Sequence, residues 1–167
     1  MFNPIRQSLK LAFLGLLLLP SAITLLNAQT PPGVAKKIDF CSLLTKAEIQ
    51  EVLGKPVQDG KLNASGGSPC QYIVGDFGAF SVLVKPFGPS ETPDKILAAL
   101  NKMKMKTMDA PGIGDKSFFA FPGYGMVQLN TFKGIHYVIM TLMVPGLSED
   151  GQKAPAEKLM KKVLMKL

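Results

Sequence analysis

The sequence predicts an α+β fold: an antiparallel sheet with its helices packed on one face, built from two similar hairpin-plus-helix units. Three observations predict it. Short runs rich in strand formers, such as Cys70–Val74 and Ile135–Val144, are bounded by Gly, Pro and Asp turns. Capped stretches with apolar residues at helical spacing lie between and after them. The strands come as hairpins rather than singly between helices, which favours antiparallel pairing.

Residues 1–28 read as an export signal and stand outside the fold. Arg6 and Lys10 give a positive start, Leu11–Leu19 is an almost unbroken apolar run, and Leu26-Asn27-Ala28 offers a small residue for cleavage near Ala28. A membrane span needs roughly 20 apolar residues, and this run is shorter and broken by Pro20, which favours a cleaved leader over a retained anchor. Gln29–Lys37, with Pro31-Pro32-Gly33, is a flexible leader. Residues 38–167 are left as one α+β domain. Removing 28 of 167 residues leaves 139, enough for one core and too few for two. The expected location is the periplasm or the cell exterior.

From Ile38 the elements follow in order. Thr45-Lys46-Ala47-Glu48 is a capping box, in which the Thr45 hydroxyl takes the Glu48 amide and the Glu48 carboxylate takes the Thr45 amide. Leu44 and Ile49 form the matching hydrophobic staple, and Gly54 followed by Pro56 ends this first helix. Asn63–Pro69 is a polar turn. Cys70–Val74 and Ala79–Lys85 are two strands around Gly75-Asp76-Phe77-Gly78. Thr92-Pro93 opens a second helix carrying Ile96, Leu97, Leu100 and Met103. Pro111-Gly112-Ile113-Gly114-Asp115 turns into a strand over Ser117–Phe121. Gly125–Phe132 and Ile135–Val144 then form a hairpin around Lys133-Gly134. The last strand is apolar on both faces except near His136 and Thr141, so it belongs in the centre of the sheet. A terminal helix from about Pro155 carries Ala156, Leu159, Met160, Val163, Leu164 and Leu167 as its apolar stripe.

Cys41 and Cys70 are the only cysteines, and in an oxidising compartment a lone pair in a small domain is most simply a disulfide. All 12 acidic residues but only 17 of the 19 basic ones follow residue 28, so that part carries +5. Such a balance suits an anionic envelope surface, while the absence of an arginine run interleaved with aromatics argues against nucleic acid. His136 is the only histidine and reads as a half-exposed strand residue. None of the nine serines has a nucleophile-elbow context, and the ligand supply for zinc is missing. Hence no catalytic residue, metal or cofactor is expected, and the chain is not expected to be an enzyme. The thioethers of Met103, Met105 and Met108 would suit a soft metal, but at this spacing they read first as core packing. Gly112-Ile113-Gly114-Asp115-Lys116 lacks the spacing of a phosphate loop and precedes a strand, so it reads as a turn in which Asp115 bonds nearby amides. Phe118, Phe119, Phe121 and Tyr124 cluster around Pro122-Gly123. Some of these belong to the core, and core packing alone is the first reading; but consecutive Phe118 and Phe119 cannot share one side of a strand, which makes this segment the candidate binding surface.

Cys41-Ser42-Leu43-Leu44-Thr45, Glu48-Ile49, Leu53-Gly54-Lys55-Pro56 and Cys70-Gln71-Tyr72 follow one another here, with Gly112-Ile113-Gly114-Asp115 later on. This pattern resembles small exported bacterial domains of unknown function. Many of those are lipoproteins described chiefly in actinobacteria, and some resemble the extracellular sensor domain of a mycobacterial serine/threonine kinase. The chain departs from them in having neither a lipobox nor a kinase portion. The resemblance implies an exported α+β fold that binds a ligand or partner, with no catalytic residues to carry over. The expected partner is a small molecule or an envelope protein bound by a monomer. The alternative is an accessory envelope protein whose basic helices touch an anionic surface.

Overall fold

A computed structural model describes residues 38–62 and 69–167. The expected export signal, the leader up to residue 37 and residues 63–68 of the polar turn lie outside the described residues.

The first helix forms where local chemistry demands it. A 3-10 turn, Phe40–Ser42, leads into α1, Lys46–Leu53. The Glu48 amide donates to the Thr45 hydroxyl at 3.2 Å, and the Thr45 amide donates to the Glu48 carboxylate at 2.8 Å, which completes the expected capping box. Gly54 ends the helix at a φ of 63°, where a β-carbon is disfavoured. Leu44 and Ile49 are both fully buried, as a staple requires.

Among the described residues seven strands follow, all antiparallel: β1 Lys61–Leu62, β2 Cys70–Val74, β3 Gly78–Pro86, β4 Lys106–Asp109, β5 Lys116–Gly123, β6 Met126–Lys133 and β7 His136–Met143. Their spatial order is β1-β2-β3-β7-β6-β5-β4, so β7 is the middle strand, flanked by β3 and β6. Both edges are short, two residues at β1 and four at β4, and β4 carries Lys106 and Asp109. Short charged edges of this kind resist pairing with another chain. Neither edge strand has an alternating apolar pattern, and neither is expected from the sequence.

Two further helices complete the fold, α2 Pro93–Lys102 and α3 Glu149–Leu164. The fold class is α+β with an antiparallel sheet, but the helices do not share one face. α1 and α3 pack on the face bearing Tyr72, Phe80, Val82, Phe119, Leu129, Met140 and Leu142. α2 packs on the opposite face, where Leu100, Ile96 and Leu97 meet Phe118, Phe132 and Tyr137. The physical reason lies in β5: Ser117–Phe121 is buried at every position, and a strand buried on both sides needs cover on both sides. The two hairpins β2–β3 and β6–β7 do meet side by side at the sheet centre, but a two-fold axis through that junction would keep both helices on one face. The repeat therefore extends to the hairpins and not to the helices.

The terminal helix also differs from expectation. It begins at Glu149, not at Pro155, because Ser148 caps it by accepting from the Gly151 amide at 3.1 Å. Pro155 sits inside the helix and removes one backbone donor. Burial of Ala156, Leu159, Met160 and Val163 against the sheet carries the helix through that defect.

The disulfide joins Cys41 to Cys70 and ties the turn before α1 to β2. Beside it the Tyr72 hydroxyl donates to the Leu44 carbonyl at 2.8 Å, and burial pushes its acidity below that of a free phenol. The residue above it, Gly60, leaves no room for a β-carbon, which would lie 2.6 Å from both the Cys70 sulfur and the Tyr72 ring.

Candidate functional site

α2 spans only part of its face, and the uncovered part is the candidate site. The face beneath α2 carries Phe118, Ala120, Phe132 and Tyr137 on β5, β6 and β7. Towards β2 and β3 the same face continues without a helix above it. Strand register aligns its side chains into rows. Lys61 faces Gln71, Gln71 faces Ser81, Ser81 faces Thr141, and Thr141 faces Gln128. With strands about 4.8 Å apart, this hydroxyl and amide row runs about 19 Å across five strands. The neighbouring row is apolar: Ile73 faces Ala79, and Ala79 faces Met143. Met126 completes it and, with Ile73, Ala79, Ser81, Thr141 and Met143, lines a concavity of about 370 Å³.

A chain of polar side chains links this open row to the core under α2. The Tyr137 hydroxyl donates to Asn130 Oδ1 at 2.7 Å, and Asn130 Nδ2 reaches Gln128 Oε1 at 3.4 Å. Gln128 Nε2 in turn reaches Thr141 Oγ1 at 3.4 Å. Asn130 is fully buried, whereas Gln128 and Thr141 are half-buried. Tyr137 stacks face to face on Phe132, with centroids 4.4 Å apart, and Lys85 lies over its ring while pairing with Glu91. Burial first, and then the Glu91 charge, pushes the Tyr137 phenol up to about 12. The phenol is therefore a fixed hydrogen-bond donor throughout the physiological range.

The residues singled out from sequence fall elsewhere. Phe118 and Phe119 do point to opposite faces, but each meets a helix layer and is buried, and Phe121 is buried with them. As a continuous binding surface the aromatic segment is overturned: three of its four members are core. Tyr124 alone is exposed, in the β5–β6 turn. His136 begins β7 opposite Lys133, half-buried. Met105 packs against the core under α2, while Met103 and Met108 are exposed and lie on a helix end and an edge strand. Among the described residues no three His, Cys, Asp or Glu side chains come close enough to share a metal ion, and no helix is long and apolar enough to cross a membrane.

Asp115 acts as expected of a turn residue, but over a long range. Its carboxylate accepts from the Gly134 amide at 2.7 Å, tying the Pro111–Asp115 loop to the β6–β7 turn. Sequence reading missed Gln71, Ser81, Gln128 and Thr141 as a set. The available signal was the polar half of the alternation in β2, β3, β6 and β7, which shows where water or a ligand meets the sheet but not which strands adjoin.

Comparison of the chain with protein-family models, with curated proteins and with solved structures finds no match.

Proposed function

We propose that this chain is an exported, non-catalytic binding module of the periplasm or cell exterior that holds its ligand on the open half of the sheet. The observation that carries this reading is the pairing of two rows on one rigid, uncovered surface. The row Gln71, Ser81, Thr141 and Gln128 offers neutral donors and acceptors and ends on the Lys61 ammonium at the sheet edge. The row Ile73, Ala79, Met143 and Met126 beside it offers an apolar wall. A fully solvated antiparallel face would be polar along both rows. The concavity is of the size that small-ligand sites use. Asp59 and Lys61 add one charge of each sign to the lining, so these features favour a polar ligand of no net charge with one apolar edge, either a free small molecule or a segment of an envelope protein. The resemblance to exported sensor-like domains points the same way, as do the disulfide and the charged leader sequence.

Native mass spectrometry of the protein purified from its envelope fraction tests the proposal. The expected species starts at Gln29, is two hydrogens lighter than the reduced chain, and carries an additional mass. Thr141→Arg, which fills the concavity from its floor, should release that mass without lowering the melting temperature. Retention of the mass by Thr141→Arg would move the ligand off this face. Salt-sensitive binding to anionic vesicles, with no retained mass, would instead favour an accessory role for the basic helices. Of the lysines on the outer face of α3 and at its end, Lys166 is already engaged by Glu48.

A further inference from the structure

Phe77 and Tyr124 are the most exposed large apolar side chains among the described residues, at 84% and 93%. Each stands at the tip of a tight turn, Phe77 between β2 and β3 and Tyr124 between β5 and β6. The strand order brings both tips to one end of the sheet. β3 leaves its turn beside the end of β7, where Ala79 faces Met143, and β6 starts beside that same end, where Val127 faces Leu142. Between the tips the chain leaves β7 through a loop carrying the exposed Leu147. Three strand spacings separate the two turns, about 14 Å.

Tyr124 also holds a φ of 55°, beside Gly125 at 71°. Two successive positive φ values make a tight hairpin turn in which Asn or Gly is the favoured first residue, and a bulky side chain is disfavoured. At 93% exposure the tyrosine ring gains little inside the domain to offset that strain. From these observations we infer that this end of the sheet is a lipid-contacting surface, with Phe77 and Tyr124 entering the interfacial layer of a bilayer.

A bilayer fits this surface better than a protein partner does. The side chains stand on convex turns, and the sheet-face concavity includes none of Phe77, Tyr124 and Leu147. A flat, deformable layer accepts both tips at once, whereas a protein would need two matched recesses. Aromatic side chains settle well at the headgroup boundary. Charge near the tips is nearly balanced. Lys55 adjoins the first turn, where the Gly75 amide donates to the Pro56 carbonyl, Lys106 faces Phe121 near the end of β5, and the exposed Lys104 lies two residues before Lys106. Lys153 pairs with Asp150, and Asp76 and Glu149 complete the set. Four lysines against three carboxylates leave apolar insertion as the main driving force, so a zwitterionic bilayer suffices. The inference is independent of the ligand-binding reading, since the two surfaces share no residue.

The chain has no tryptophan, so Phe77→Trp and Tyr124→Trp each install a single reporter. Ile135→Trp, on the exposed β6–β7 turn at the opposite end, is the control. With phosphatidylcholine vesicles, tryptophan at 77 or 124 should shift to the blue and be quenched by brominated acyl chains, and tryptophan at 135 should do neither. Both responses should persist in high salt. In the Phe77→Trp background, Tyr124→Ser should raise the lipid concentration for half-maximal shift about tenfold, with the melting curve unchanged. No shift at either tip, or an equal shift at 135, overturns the inference. So does a shift that needs anionic lipid and vanishes in salt, which would assign the contact to the lysines. Protection of the tips by a protein, with no response to vesicles, overturns it as well.

Discussion

Gln152 is the residue whose replacement tests the packing logic of this fold most directly. It is fully buried in the first turns of α3, yet it is a polar amide. Its Oε1 accepts from the Val144 amide at 3.0 Å, just past the end of β7, and its Nε2 donates to the Gly125 carbonyl at 2.8 Å, in the β5–β6 turn. One side chain therefore fastens a helix start, a strand end and a hairpin. Gln152→Leu keeps the volume and removes both bonds, leaving the buried Val144 amide unpaired while the Gly125 carbonyl, on an exposed turn, can turn to water. An orphaned buried group costs about 1–3 kcal/mol, so the expected loss is about 2 kcal/mol. For a domain of this size that lowers the melting temperature by about 7 °C.

Urea unfolding followed by circular dichroism measures the loss, and the slope with denaturant should stay constant if only the folded state changes. Gln152→Glu separates the two bonds. Ionised, the new side chain still accepts from Val144 but faces the Gly125 carbonyl with no proton to donate; protonated, it regains that donor. The fold therefore favours the acid form, and the variant should recover stability as pH falls through the ordinary carboxyl range and lose it as pH rises. Gln152→Leu within about 0.5 kcal/mol of the parent would refute the reasoning, because it would mean that water or the backbone satisfies both groups without the amide.

Three further outcomes follow from the same geometry. Cys41→Ser with Cys70→Ser should lower unfolding stability by about 3–4 kcal/mol through the loop the bridge closes, matching the effect of a reductant on the parent in urea. Gly114→Ala should cost about 2–3 kcal/mol by thermal melting, since residue 114 holds a φ of +61° and a β-carbon would lie 2.5 Å from the Phe132 carbonyl oxygen; Gly125→Ala, with open space around it, should cost less. Glu48 is held at about 2 rather than 4.5, chiefly by the Thr45 amide and then by Lys166. The stability it gives is full above about pH 4.5 and is lost as pH falls towards 2. Its partly exposed setting limits the effect to about 1–2 kcal/mol, and Glu48→Gln should flatten that acid limb of a stability–pH curve.

What could be read from the sequence divides along the range of the interactions involved. α1 was fully legible, because a capping box, a staple and a terminal glycine are all encoded within the eleven residues Leu44–Gly54. The hairpins were legible to within a residue or two for the same reason, since turn residues and alternation are local. α3 was legible as a stripe but not in its start: Pro155 outweighed Ser148, whose capping bond reveals itself only once Gln152 is seen to be buried. β4 was hidden because Lys106-Thr107-Met108-Asp109 has no alternation, being an edge strand whose membership depends on β5. The side taken by α2 was not encoded locally at all. The clue lay in Phe118-Phe119-Ala120-Phe121, an unbroken apolar run that reads as an exposed patch if one face is assumed open and as a doubly covered strand if it is not. The open half-face was illegible for a stricter reason, because Gln71, Ser81, Gln128 and Thr141 become neighbours only through the register of four strands.

The same register explains why the uncovered surface lies where it does. β7, like β5 and β6, is shared by both layers of packing: Val138, Met140 and Leu142 face α1 and α3, while Tyr137 and Ile139 face α2. Beyond Ile139 the α2-side positions of β7 change to Thr141 and Met143, and on β6 they run from Phe132 through Asn130 to Gln128. Apolar cover therefore ends at the point where the Tyr137–Asn130–Gln128–Thr141 chain begins. Extending α2 over that row would bury Gln128, Thr141 and Ser81 beneath a helix whose only fully buried side chain is Leu100, and unpaired buried amides and hydroxyls would cost more than the added apolar contact returns. The boundary of the α2 core and the boundary of the open site are thus one feature, set by where β6 and β7 change from apolar to polar.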